Sequence, residues 1–160
     1  MTKDKPPLTA AIRTLKIEAR AYTLRPYPYE ENGGTKVAAK ALGVDEHMII
    51  KTLVMEDEHQ APLIVLMHGD RQVSTKSLAR KLGVKAVAPC NPKIAEKHTG
   101  YKVGGTSPFG MRKRLPIYIE ESILSLPVVF INAGSRGLLA EMSPETLAAI
   151  LNPVPVNVAI

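Results

Sequence analysis

One cysteine, Cys90, stands in 160 residues, so the chain forms no internal disulfide and a reducing compartment is expected. Metal-ligand patterning is missing as well. The four histidines, His47, His59, His68 and His98, have no zinc-site spacing and no cysteine set to join. Neither a structural metal nor any other cofactor is expected. Long apolar runs are absent: none approaches the roughly 18–20 residues needed to cross a bilayer, so no membrane partner is expected. The opening stretch, MTKDKPPLTAAIRTLKIEAR, is charged throughout and has no apolar h-region, so no secretory signal is expected and the cytoplasm is the expected location. No repeat or low-complexity tract appears. What remains is a length suited to one domain, residues 1–160, with 45% hydrophobic residues, enough for a core without covalent staples.

Acidic residues are nearly missing from one long segment. Between Arg71 and Arg114 stand eleven basic residues and a single acid, Glu96, whereas the rest of the chain is net acidic. A charge separation this steep attracts a polyanion, and nucleic acid is the obvious candidate. Lys76, Arg80, Lys81 and the run Arg112, Lys113, Arg114 are the candidate contacts.

Turn and cap residues divide the chain into short elements. The signals predict a helix over Thr9–Lys16 with Thr9 as its cap, a strand over Ala19–Leu24, and a loop through RPYPYEENGG. Thr35–Leu42 reads as a helix capped by Thr35 and closed by Gly43. Met48–Met55 and Pro62–Met67 are strand-length apolar runs, with MEDEHQ as a hairpin turn. Ser74–Leu82 and Asn91–His98 read as capped helices, the latter with Pro92 in its first turn. Leu115–Ile119, Val128–Asn132 and Leu138–Met142 read as strands, and Ser143-Pro144-Glu145 opens a last helix to about Leu151. Helices and strands alternate irregularly, which predicts an α+β fold with a mixed sheet.

Two features carry candidate chemistry. The first is Lys51 in MIIKTLVM, an ionisable side chain in a strand apolar on both faces, followed by Thr52. Either it lines a cleft and meets an anion or developing oxyanion, or it sits near a strand end and snorkels to water. The second is the loop KVGGTSPFG. Ser107 there is a poor nucleophile: the residue after it, Pro108, has no N–H to offer an oxyanion, and Phe109 occupies the place of the elbow's second glycine. The loop reads instead as a backbone site, with the N–H groups of Gly104, Gly105, Thr106 and Ser107 directed at a carbonyl or phosphate, or as a plain tight turn. A second turn, Gly134-Ser135-Arg136-Gly137, places Arg136 at a strand end, either to fork an anion or simply exposed. Cys90 lies beside a helix start, which would lower its pKa, but has no recognisable histidine base.

Taken in order, IIKTLV, HTGYKVGGTSPFG with its basic run, and INAGSRGLLAEMSPETL resemble the YbaK/EbsC family of aminoacyl-tRNA editing domains, its freestanding Cys-tRNA(Pro) deacylases above all; the same fold is inserted in bacterial prolyl-tRNA synthetases. The resemblance spans about Thr9 to Leu151. It implies a single α+β domain with a highly curved, barrel-like mixed sheet among helices, and a trans-acting hydrolase of the ester between a wrong amino acid and the transfer RNA 3′ end. It implies the essential lysine at Lys51, with Thr52 beside it. It places the family's glycine loop on Gly104, Gly105, Ser107 and Pro108, holding the ester carbonyl and terminal adenosine, and leaves roles for Gly134, Arg136 and Gly137. The family's N-terminal tyrosine motif could fall on Tyr22, Tyr27 or Tyr29. The family is understood to use no protein nucleophile; in its cysteine-specific members the substrate thiol attacks its own ester. The implied partners are the acceptor end of a mischarged transfer RNA and, transiently, prolyl-tRNA synthetase. Two rival readings stand beside this one: a deacylase for alanine or serine esters using water, and a non-catalytic RNA- or nucleotide-binding module.

Overall fold

The computed structural model describes residues 7–18 and 21–160. The elements are α1 (Ala10–Glu18), β1 (Thr23–Pro26), α2 (Gly34–Leu42), β2 (Ile49–Asp57), β3 (Pro62–His68), α3 (Thr75–Leu82), β4 (Val87–Pro89), α4 (Pro92–Thr99), β5 (Ile117–Glu120), β6 (Val129–Ser135), β7 (Leu138–Met142), α5 (Pro144–Leu151) and β8 (Val154–Val156). Short 3-10 helices at Glu46–Met48 and Glu121–Ser125 complete the set.

All eight strands join one mixed sheet in the order β1-β7-β6-β2-β3-β5-β8, with β4 paired to β2 off that path. The β2–β3 hairpin is antiparallel, Ile50 opposite His68 through Glu56 opposite Pro62, while β2–β6, β3–β5 and β5–β8 are parallel. The expected α+β fold with a mixed sheet is therefore present. β3 explains why the sheet is central. Leu63 to Met67 are all buried, and alternate residues enter different cores: Ile64 and Leu66 pack with α1, β6 and β7, whereas Leu63, Val65 and Met67 pack with α3 and the C-terminal segment. A third, smaller core holds α2 against Ile49, Phe130 and Leu139.

Helix caps fall where hydroxyls and amides predict them. Ser74, Asn91 and Ser143 accept the N–H groups of Ser77, Lys93 and Thr146. Thr9 accepts from Ile12 at 3.0 Å and donates to the Ala133 carbonyl at 2.5 Å, which ties α1 to β6. Several expectations need correction. Thr35 is not the cap of α2. That position is Gly33, and the Thr35 hydroxyl instead reaches Glu46 Oε2 at 2.7 Å and the Gly69 carbonyl at 3.2 Å, partners that a linear reading does not show. The strand expected over Ala19–Leu24 is Thr23–Pro26; Ala19 and Arg20 lie outside the described residues. Glu56 and Asp57 stay in β2, because the Asp57 carboxylate accepts from the N–H groups of His59 and Ala61 and closes the turn two residues later. The strand expected over Leu115–Ile119 is Ile117–Glu120. β4 and β8, three residues each and both containing proline, are too short to show an alternating pattern.

Candidate active site

A cavity of about 450 Å³ opens between α2, the first half of β2, the N-terminal turn of α4 and the loops around Tyr29 and Gly104. Its floor, Ile49 to Val54, places Lys51 and Thr52 on opposite sides of the strand, yet both line the space. The half-buried Lys51 ammonium donates to the Arg71 carbonyl at 2.5 Å. Burial draws its pKa down from the usual lysine value, opposed by the carboxylates of Glu46 and Asp70. Lys51 thus lines the cavity while its ammonium is tied to the Arg71 carbonyl. The Thr52 hydroxyl oxygen is buried and, among the described residues, has no hydrogen-bond partner. Such an orphan costs about 1–3 kcal/mol.

The glycine loop forms the facing wall, but only part of it faces the cavity. Gly104 and Thr106 line it. Gly104 has φ +89°, and a Cβ there would sit 2.6 Å from the Tyr29 hydroxyl, so only glycine fits. A Cβ on Gly105 would sit 3.0 Å from the Arg136 backbone nitrogen. The Gly105 N–H donates to the Lys102 carbonyl at 2.8 Å, closing the turn and leaving the expected substrate contact unmade. Ser107 and Pro108, expected to contact substrate, are also turned inward. Both are buried away from the cavity, and the Ser107 hydroxyl accepts from the Phe109 N–H at 3.2 Å, bridging the proline. Ser107 is a turn-former with no access to a substrate.

The second glycine turn supports the wall. The Gly137 carbonyl accepts from the Tyr27 N–H at 2.9 Å and holds the tyrosine loop, while the Gly134 N–H donates to Asn132 Oδ1 at 2.6 Å. Arg136, expected to grip an anion, is occupied within the protein. Its Nε donates to the Val103 carbonyl at 2.9 Å, and its guanidinium lies 5.4 Å from the centre of the Tyr29 ring. Of the three candidate tyrosines, Tyr27 and Tyr29 line the cavity.

Cys90 lies at the cavity edge, but its surroundings oppose thiolate formation. Burial, together with a hydrogen bond to Glu56 Oε1 at 3.4 Å and that carboxylate's charge, pushes the thiol up to about 11. The helix start that was expected to lower it is outweighed. Iodoacetamide at pH 8 should therefore label Cys90 far more slowly than a free cysteine, whose pKa is about 8.5; labelling at the free-thiol rate would contradict this placement. His47, His68 and Asp70 come within 4.8 Å of one another. Yet the His68 Nδ1 must donate to the His47 carbonyl at 2.7 Å, burial favours the neutral ring, and its Nε2 then accepts from the Ser122 hydroxyl at 2.7 Å. That ring has no lone pair left for an ion.

The six basic candidates are all exposed, but they divide between two places. Lys76, Arg80 and Lys81 ride on α3. Arg112 and Lys113 are strapped to the end of α4, their N–H groups donating to the carbonyls of Thr99 and His98, with Arg114 following. The first turn of α4 lines the cavity through Pro92 and Ala95. One helix, about 12 Å long, therefore connects the cavity to the Arg112–Arg114 strap.

These features define an α+β domain in which a largely apolar cleft, lined by one lysine, lies beside a basic surface. The model of the aminoacyl-tRNA editing domain family matches residues 31–150, and the chain belongs to that family, as its YbaK/EbsC-like motifs implied. A protein of Enterococcus faecalis provisionally named Cys-tRNA(Pro)/Cys-tRNA(Cys) deacylase EbsC is 32% identical over 123 residues, 77% of this chain and 75% of that one. A proline–tRNA ligase of Limosilactobacillus fermentum is 26% identical over 104 residues, covering 62% of this chain but 18% of the ligase. The fold matches a crystal structure provisionally described as a trans-editing enzyme for prolyl tRNA synthetase, with TM-score 0.82 and 24% identity over 94% of this chain and 97% of that chain.

Proposed function

We propose that the protein removes cysteine from mischarged Cys-tRNA(Pro) by letting the substrate's thiol attack its own ester. The observation that carries this reading is a cavity lined by a single lysine but by no activated nucleophile: Ser107 is sealed in its turn and the Cys90 thiol is held protonated. The attacking group must then come from the substrate or from water. In a cysteinyl ester the sulfur closes on the carbonyl carbon to give a four-membered thiolactone. The ester C–O bond breaks, the thiol proton ends on the departing ribose oxygen, and water opens the thiolactone to free cysteine. Lys51 stabilises the charge that gathers on the carbonyl oxygen, and the intramolecular attack gains from a high effective concentration.

The need for such an activity follows from binding limits. Cysteine is no larger than proline, and one methylene in an apolar pocket is worth only about 1–3 kcal/mol, so a synthetase pocket cannot reject it by size. The similarity to proline–tRNA ligases supports action beside prolyl-tRNA synthetase in a transient complex. A panel of transfer RNAs charged with cysteine, alanine, serine and proline tests the reading. Release of cysteine ahead of the others supports it, while preference for alanine or serine would replace it with a water-dependent deacylase.

The acceptor stem is proposed to lie across the strap at the end of α4 and toward α3. Each phosphate neutralised there adds about −0.7 to −0.9 to the slope of log affinity against log salt. Affinity should therefore fall steeply between low and physiological ionic strength. Arg80→Ala with Lys81→Ala should weaken binding and flatten that slope without changing which amino acid is removed. A wild-type affinity independent of salt would refute the electrostatic footprint.

A further inference from the structure

We infer that Arg136 and Asn132 are positioning residues that fix two successive peptide planes of the glycine loop and leave the Gly104 N–H as its hydrogen-bond donor to the bound ester. The inference deepens the deacylase reading and rests on it for its catalytic half.

Two adjoining carbonyls of the loop are held by side chains from the second turn. Arg136 Nε donates to the Val103 carbonyl at 2.9 Å, and Asn132 Nδ2 donates to the Gly104 carbonyl at 3.1 Å. The described peptide bonds are all trans, so in each unit the N–H points opposite to the C=O. Holding the Val103 carbonyl toward the guanidinium therefore turns the Gly104 N–H away from it. Holding the Gly104 carbonyl toward Asn132 turns the Gly105 N–H the other way, and there it meets the Lys102 carbonyl at 2.8 Å. Of the two, Gly105 is used up, while Gly104 lines the cavity and its N–H has no partner among the described residues. A peptide whose carbonyl already accepts a hydrogen bond is polarised and donates more strongly through its N–H.

Asn132 is itself fixed. Its Nδ2 also donates to the Ser135 carbonyl at 3.2 Å and its Oδ1 accepts the Gly134 N–H at 2.6 Å, which settles the amide orientation, since carbonyls only accept. Arg136 is fixed by lying over the Tyr29 ring, whose hydroxyl in turn blocks any side chain at Gly104. Three loops distant in sequence thus set one N–H.

The test compares Arg136→Ala, Asn132→Ala and Asn132→Asp with wild type in two measurements. The first is steady-state deacylation. Misplacing a group at the reacting centre by about 1 Å costs about 10²-fold. A fall of that order in kcat is expected, with KM and the thermal midpoint little changed and partial recovery of Arg136→Ala on adding guanidinium. Asn132→Asp keeps the acceptor for Gly134 but loses the donor to Gly104, so it should behave like Asn132→Ala. The second is amide hydrogen exchange of the free protein. Wild type should show a protected Gly105 N–H and an unprotected Gly104 N–H, with Gly105 protection lost in the variants. Wild-type kcat in the variants would overturn the catalytic half, and a protected Gly104 N–H in wild type would overturn the geometric half. A wild-type protein inactive on every ester would sink the deacylase reading and the catalytic half with it. The exchange pattern would still decide whether these side chains set the peptide planes.

Discussion

Lys51→Ala should fold and yet deacylate about 10²–10³-fold more slowly than wild type, the loss expected when a preorganised group that stabilises a developing oxyanion is removed, about 2.7–4 kcal/mol. The expectation rests on a single ammonium lining a cavity that is otherwise largely apolar. Lys51→Met makes the argument sharper. It keeps an unbranched side chain of similar length and removes the charge. Burial lowers the Lys51 pKa, so the folded protein binds this proton less tightly than the unfolded chain does. The ammonium therefore opposes folding at neutral pH, and that opposition fades as pH rises from the lowered folded-state pKa toward the ordinary lysine value. Lys51→Met removes that opposition and also the hydrogen bond to the Arg71 carbonyl, changes of opposite sign, so it should stay near wild-type stability at pH 7 while losing activity. Chemical denaturation and a deacylation assay on the same preparations check both halves. Near-wild-type turnover in a folded Lys51→Met protein would remove Lys51 from the chemistry.

The second large effect lies in the substrate. Cysteinyl and seryl esters differ by one atom, and an apolar pocket separates such near-isosteres by about 10–200-fold at most. A thiol, by contrast, is a few per cent ionised at pH 7 and intrinsically very nucleophilic, whereas a serine hydroxyl needs activation. The cysteine ester should therefore turn over more than about 200-fold faster than the serine ester, beyond what fit supplies. An S-methylcysteine ester, which keeps the sulfur and loses the attack, should fall to the serine rate or below. Comparable rates for all three would point to water as nucleophile. Ser107→Ala and Cys90→Ala should each keep substantial activity. Ser107→Ala should lower stability by about 1 kcal/mol through its lost turn hydrogen bond.

What a linear reading captures and misses here has a common physical origin. Caps such as Ser74, Asn91 and Ser143 act within three residues of themselves, so composition finds them. Lys51 stands out in the sequence because an ionisable residue inside an apolar strand is conspicuous against its neighbours. Several of the placements that required correction depend on distant partners. Thr35 meets Glu46 and Gly69, Cys90 meets Glu56 34 residues away, and Arg136 meets Val103 33 residues away. KVGGTSPFG announces close backbone approach but not which side faces the cleft, so Ser107 looked available when it is sealed. Asn132 was missed as the polar end of an apolar strand. Its one local signal was an Asn two residues before a glycine, the spacing of an Asx turn, which its bond from the Gly134 N–H realises.

Cleavage of a cysteinyl ester without a protein nucleophile can be followed in a single-turnover reaction, with protein in excess over transfer RNA(Pro) charged with labelled cysteine or with labelled proline. First-order release of cysteine, an intact prolyl ester, and no label on the protein after an acid quench are expected. Cysteine release no faster than in the buffer blank, or label retained covalently on Cys90 or Ser107, would contradict this mechanism.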